Sequence, residues 1–342
     1  MADDQPTIAK DTVLVNVRTN TSFQGDYNNI WSWVPSIKFR VNGPIESGAQ
    51  LYVQFSLPDD PKWVEFDCDT GSIEKGYWWK TEGGGVNLPE EKGVRYTGPV
   101  NFRIGLRNEL TESDIELFKG TFEVRKAHSG EVGPEAAEKW VYYVDEDWAL
   151  PIGYVFLEPD GDEWKLPKFN AAFWIRGDYS VLDPHLFHQG KEVGKVMFDG
   201  MEIGKPSCDE ELSALPSISV GESFPQKAIW KRMKASFNNV RGWNQTGDEN
   251  AGFATPPFLL CNNPGEYDLK VLRNGKLARS IKFTVGPDGK FDNGIASANL
   301  LGNDRVIVPV KVIGDQDGVW NREAWKTGAF YGNPLTGFEA VS

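Results

Sequence analysis

The chain has 342 residues, enough for about two domains at roughly 150 residues each. Its net charge of −13 speaks against nucleic acid as the main partner and against a polybasic membrane anchor, since both need clustered cations. No apolar run approaches the roughly 20 residues of a membrane helix, so no membrane insertion is expected. The 13 Trp, 36 Gly and 21 Pro beside only 4 Met point to an all-β protein.

The first half alternates apolar and polar residues in short sets. These are Val13, Val15 and Val17; Ile37, Phe39 and Val41; Leu51, Val53, Phe55 and Leu57; Val64, Phe66 and Cys68; Val100, Phe102, Ile104 and Leu106; and Phe122 with Val124. Period two means one buried face and one wet face. Turn chemistry separates the sets, at Asn42-Gly43-Pro44, Pro58-Asp59-Asp60-Pro61, Asp69-Thr70-Gly71 and Gly83-Gly84-Gly85. Residues 1–127 therefore read as a β-sandwich. Residues 128–138 lack apolar alternation, contain Gly133-Pro134, and read as a linker between domains.

A second sandwich is expected over 139–289, with insertions. Its sets are Trp140, Tyr142 and Val144; Ile152, Tyr154 and Phe156; Phe173 and Ile175; and Val193, Val196 and Phe198. In 227–240, Trp230, Met233, Phe237 and Val240 follow helical spacing, while Ile229, Met233, Ala235 and Phe237 suit a strand. Both readings stand. Asn274-Gly275, between two alternating runs, predicts a tight hairpin, because a type I′ turn needs positive φ at both central residues.

Residues 290–342 form an aromatic-rich C-terminal extension. In its run Arg305–Ile313, Val306, Val308, Val310 and Val312 share one strand face. Pro309 in the middle predicts an edge strand. An edge this apolar has to be covered. Either it joins its own second domain, or it adds to a neighbouring copy by β-augmentation in a head-to-tail contact. Trp320, Trp325 and Phe330 are then candidate interface anchors.

A weak internal repeat links the closing hairpins. Gly98–Leu106 leads to Gly120–Val124, as Pro264–Val271 leads to Ile281–Val285, and Phe102 aligns with Tyr267. The run Pro264-Gly-Glu-Tyr-Asp-Leu-Lys-Val271 resembles the penultimate strand of bacterial immunoglobulin-like and fibronectin-like domains. That resemblance implies two tandem Ig-like β-sandwiches, with Tyr267 as a structural tyrosine corner. Phe102 takes the equivalent place in the first copy and lacks the hydroxyl. The Cys…Trp…Cys pattern of antibody domains is absent, and a fold so widely used implies no function.

The chemistry is sparse. No G-x-S-x-G elbow, P-loop or G-x-G-x-x-G occurs. Among 49 acidic residues no carboxylate pair stands out, so no catalytic residue is assigned. Acidic clusters at Asp145–Asp147, Glu158–Glu163 and Asp315/Asp317 read as turns and solvated charge, with Ca²⁺ as the alternative; none fits an EF-hand loop. No other cofactor is expected. His185 and His188 suit a metal on a helical turn, but on a strand they face opposite ways. The three cysteines, at 68, 208 and 261, form no CxxC pair; a Cys208–Cys261 bridge and unpaired thiols both stay open. Arg176-Gly177-Asp178 reads as a turn, and the sequons at Asn20 and Asn244 matter only in a secretory pathway.

Trp31, Trp33, Trp78 and Trp79 suit core and intersheet packing first; they are also the candidate ligand-stacking aromatics, suited to a protein surface or a sugar ring. Met1-Ala2-Asp3-Asp4 shows no leader pattern. That leaves a cytoplasmic protein, or one outside the cell from which a leader has been removed. The pattern as a whole leads to a non-catalytic extracellular or envelope protein, structural or adhesive, with self-assembly as one way to cover the tail. A carbohydrate-binding or carbohydrate-active protein using Trp and carboxylates is the alternative, and a cytosolic accessory protein a third.

Overall fold

The computed structural model describes residues 6–21, 31–73, 76–81, 92–128, 140–159, 166–177, 181–196, 206–211, 230–242, 256–292, 294–295, 297–299 and 305–342. The protein is all-β, and its described residues fall into two compact units. One holds the residues up to Glu146 together with Lys326–Pro334. The other holds Asp147–Glu211, Trp230–Trp325 and Leu335–Ser342.

The first unit contains β1 (Thr7–Thr21), β2 (Trp31–Asn42), β3 (Ala49–Leu57), β4 (Asp60–Ile73), β5 (Gly76–Thr81), β6 (Gly98–Asn108), β7 (Ser113–His128) and β8 (Trp140–Asp145). Their antiparallel order is β1-β2-β5-β4-β3-β6-β7-β8. Long β4 serves two neighbours, β3 through Asp67 and β5 from Cys68 onward. The alternating residues fill the core, with Val15, Val17, Phe39, Leu51, Val53, Phe55, Val100 and Ile104 at 0% exposure. Thr12 sets the bulge in β1: its hydroxyl donates to the Ala9 carbonyl and accepts the Arg40 N–H.

Residues 129–139, most of the expected linker, lie outside the described residues. The strands on either side are neighbours, since His128 pairs with Trp140. β8, which was expected to open the second domain, is therefore the last strand of the first unit, and the units divide after Glu146.

Residues 326–334 complete the first unit. Phe330 (φ 48) and Tyr331 (φ 62) are left-handed, and both are buried. The Tyr331 ring meets Phe102 edge-on, and its hydroxyl accepts the Val15 N–H at 2.9 Å and donates to Glu146 at 3.0 Å. Asn333 donates to the Lys119 carbonyl. Left-handed backbone costs a non-glycine residue about 1–2 kcal/mol. Burying an aromatic side chain returns roughly 1.5–3 kcal/mol, so the packing outweighs the strain.

The second unit contains β9 (Ile152–Glu158), β10 (Lys168–Arg176), β11 (Leu182–His188), β12 (Lys191–Lys195), β13 (Ser207–Glu211), β14 (Trp230–Arg241), β15 (Phe258–Leu259), β16 (Gly265–Arg273), β17 (Lys276–Val285) and β18 (Val306–Val312). The order is β12-β11-β16-β17-β18-β9-β10-β14-β13, with β15 beside β14. The segment with two readings is thus strand β14. Asn274 (φ 52) and Gly275 (φ 73) form the tight turn between β16 and β17. Gln189 (φ 48) and Gly190 (φ 79) make a like turn between β11 and β12, which the sequence reading missed because Gln-Gly is not a favoured hairpin pair.

β18 is internal, where an edge strand was expected. Val306–Pro309 pairs with β9, and Val310–Val312 pairs with β17. Pro309 stands where the strand changes partners, so its missing N–H falls at the crossover, and Val310 N–H donates to the Pro151 carbonyl at 2.8 Å. Val308 and Val310 lie in the core with Phe169, Phe173, Ile281 and Phe283. In both units one strand, β4 or β18, passes from one set of neighbours to the other, so that each unit's two sheets meet along it.

Gly120 tests the docking of Tyr331. A Cβ there would lie 2.7 Å from Phe102 Cε1 and 2.8 Å from Tyr331 Cβ. Gly120→Ala is expected to cost about 1–3 kcal/mol in urea titration. An unchanged midpoint would show that Tyr331 does not pack there.

Candidate functional site

The loop after β18 is built around one buried carboxylate. Gly314 (φ 75) and Gly318 (φ 76) bracket Asp315-Gln316-Asp317, conformations open to glycine at little cost. Asp317 is 1% exposed. Its Oδ2 accepts Arg279 Nη2 at 2.6 Å, and its Oδ1 accepts the Arg176 N–H at 2.9 Å and lies 3.7 Å from Arg273 Nη1. Arg279, also 1% exposed, donates further to the carbonyls of Trp174 and Ala278. Arg273 donates to the carbonyls of Gln316 and Arg176.

A second carboxylate extends the network. Arg176 Nη1 donates to the Val319 carbonyl at 3.0 Å and stands 3.5 Å from Asp147 Oδ1. Asp147 Oδ2 accepts the Asn321 N–H at 2.6 Å. The Arg176 guanidinium also lies 4.7 Å over the Trp230 ring. Arg273 and Arg176 thus hold the loop's carbonyls at Gln316 and Val319, Asp147 holds its amide at Asn321, and Arg279 anchors it through the Asp317 side chain. At the tip of this clamped loop Val319 is 97% exposed. Half-buried Trp320 follows, with Arg322 4.9 Å over its ring.

The second feature is an open depression of about 280 Å³ on the outer face of β11, β16 and β17. Phe187, Gly190, Glu266, Asp268, Lys270 and Thr284 line it. Lys270 Nζ lies 4.5 Å from the Phe187 ring centre, and Asp268 accepts the Ser280 hydroxyl.

Beside it, His185 joins β11 to β12. Its Nδ1 lies 2.7 Å from Glu192 Oε1, and its Nε2 lies 2.9 Å from Asp183 Oδ2. Burial alone would lower the imidazole's pKa, but hydrogen bonding to the two carboxylates and their charge outweigh it, and the net shift is upward. His188 points the other way, into the core, 4.5 Å from the Tyr267 ring. Tyr267 is 1% exposed, stacks on Phe283 and donates to the Asn263 carbonyl at 2.6 Å; burial pushes its phenol pKa far up.

The remaining candidate residues are scattered. Trp33 takes the core reading and not the ligand-stacking one: it is 0% exposed, packs on Trp63, and donates its indole N–H to the Tyr96 carbonyl. The side chains of Trp31, Trp78, Trp79 and Cys208 lie outside the described residues, as do Gly83–Gly85, Asp178 and Asn244. Cys261 is a half-buried free thiol. Phe330 is buried in the first unit, Trp325 packs on Phe338 within the second, and Val308, Val310 and Val312 are buried. Arg176 faces the Asp317 network, which withdraws its side chain from any exposed Arg-Gly-Asp motif. The oxygens of Asp317 are taken by cations and an amide. Among the described residues, no group of three or more His, Cys, Asp or Glu side chains is placed to hold a metal ion.

No family model matches the chain, and no curated protein matches it significantly. Among solved structures it is similar to a "Biofilm associated protein - BSP domain" at 9% identity and a TM-score of 0.16, over 93% of this chain and 61% of that one. Backbones that superpose so poorly say nothing about this chain's role. No helix among the described residues is long and apolar enough to cross a membrane.

Two outcomes are expected. Asp317→Asn leaves Arg279 buried without its counter-charge, and the loss should be about 3–5 kcal/mol in urea titration. Wild-type stability would refute the keystone role. For His185, a folded pKa above the unfolded value means that the extra stability is complete below about pH 6.5 and is lost as pH rises through the folded value. His185→Asn should flatten that dependence, and an identical slope in the variant would refute the assignment.

Proposed function

We propose that the chain is a non-catalytic structural or adhesive subunit, working outside the cell or on its envelope by association with further copies of itself. The observation that carries this reading is the loop at Val319. A buried charge network is costly to build, because each ion must leave water. Here it fixes the backbone of a loop whose tip puts an aliphatic side chain, 97% exposed, into solvent. A rigid scaffold that presents an exposed apolar residue, with Trp and Arg beside it, suits a protein contact. The fold supports the same reading. Asp317, Arg279, Asp147 and the Tyr331–Glu146 pair hold strands and loops together. The placement outside the cell rests on composition.

Static light scattering of the intact chain over a wide concentration range tests the reading. The mass should rise above that of one chain with concentration, and a monomer at every concentration would overturn it.

A further inference from the structure

We infer that the Val319 tip of one copy seats in the Phe187 depression of the next, so that copies associate head to tail. This rests on the self-association just proposed and names its contact.

Both features belong to the second unit, and they lie at opposite ends of one strand pair. The loop is tied to the Arg273 end of β16 through the Gln316 carbonyl. The depression lies at the other end, around Glu266 and Asp268. At about 3.3 Å per residue, the five steps along β16 from Asp268, midway along the depression, to Arg273 put the two features roughly 17 Å apart. A knob and a hole at opposite ends of one body do not pair isologously. They generate a heterologous contact, which repeats.

The chemistry of the two surfaces matches. The knob offers Val319 with half-buried Trp320, flanked by exposed Asp315, Arg322 and Glu323. The hole offers the half-buried Phe187 ring, with Glu266 and Asp268 beside Lys270. Each side carries both signs, so carboxylates in the hole face Arg322, and its two lysines, Lys270 and Lys282, face Asp315 and Glu323. Local pairing of this kind is needed in a chain of net charge −13, whose overall field opposes self-association. A hole of about 280 Å³ is small for a drug-sized ligand yet large enough for an aliphatic anchor with the edge of an indole. An anionic membrane is the poorer occupant, because the acidic chain would be repelled.

Two exposed positions provide the test. Val319→Asp spoils the knob and leaves the hole. Thr284→Arg fills the hole and leaves the knob. Neither side chain is buried, and matching thermal melts confirm that both variants fold. In light scattering each variant alone should be monomeric at concentrations where the wild type grows beyond a dimer. An equimolar mixture should form a one-to-one dimer and stop there, because only one knob and one hole stay intact. If both variants assemble like the wild type, or if the mixture stays monomeric, this contact is wrong while self-association stands. A wild type that never associates overturns both.

Discussion

The ion pair between Asp317 and Arg279 is the constraint on which the second unit depends. Both groups are 1% exposed, and neither is tolerable alone. Arg279 sits on β17, opposite Val312 of β18. Asp317 comes from the loop just beyond that strand. Satisfying the guanidinium therefore draws the loop back over the sheet, and the loop's own amides and carbonyls are taken up in turn by Asp147, Arg176 and Arg273. Once those bonds are made, the residues between them have nowhere to turn, and Val319 faces water.

The first unit solves a similar problem around a hydroxyl. Tyr331 has a buried hydroxyl that must be bonded. It accepts from a strand amide and donates to a carboxylate. Gly120 leaves room for its Cβ. In both units residues from beyond position 305 complete the packing, so the C-terminal stretch belongs to the body of the protein. Valines spaced two apart on an apolar strand are what such a position requires, and their sequence pattern is the same at an edge or in the middle of a sheet.

Much of the fold was legible. Period-two alternation located most strands of the first half, because a strand with one wet face alternates; β5 (Gly76–Thr81) carried no such set. On β10 it caught only Phe173 and Ile175, because Phe169–Ile175 is buried throughout and no alternation survives. The hairpin at Asn274-Gly275 was legible because left-handed backbone strongly selects those residues; Gln189-Gly190 carries only half of that signal. The site was much less legible. Asp315 and Asp317 form an acidic pair in a glycine turn, and nothing in that string says that one is exposed while the other accepts three arginines' worth of contacts. Arg176, Arg273 and Arg279 are spread over a hundred residues, so no local motif announces them.

Residue pattern alone establishes that this is a β protein, where most of its strands lie, and that its last fifty residues had to be packed against something. Those properties follow from the period of the side chains and from turn chemistry, both local. The closed fold was needed to place β8 with the first unit, β18 inside its sheet and Trp33 in the core. It also decided that an aspartate beyond the last strand meets arginines from β10, β16 and β17. Strand order and the meeting of distant charges depend on which surfaces close on one another, and that is settled by the whole chain at once.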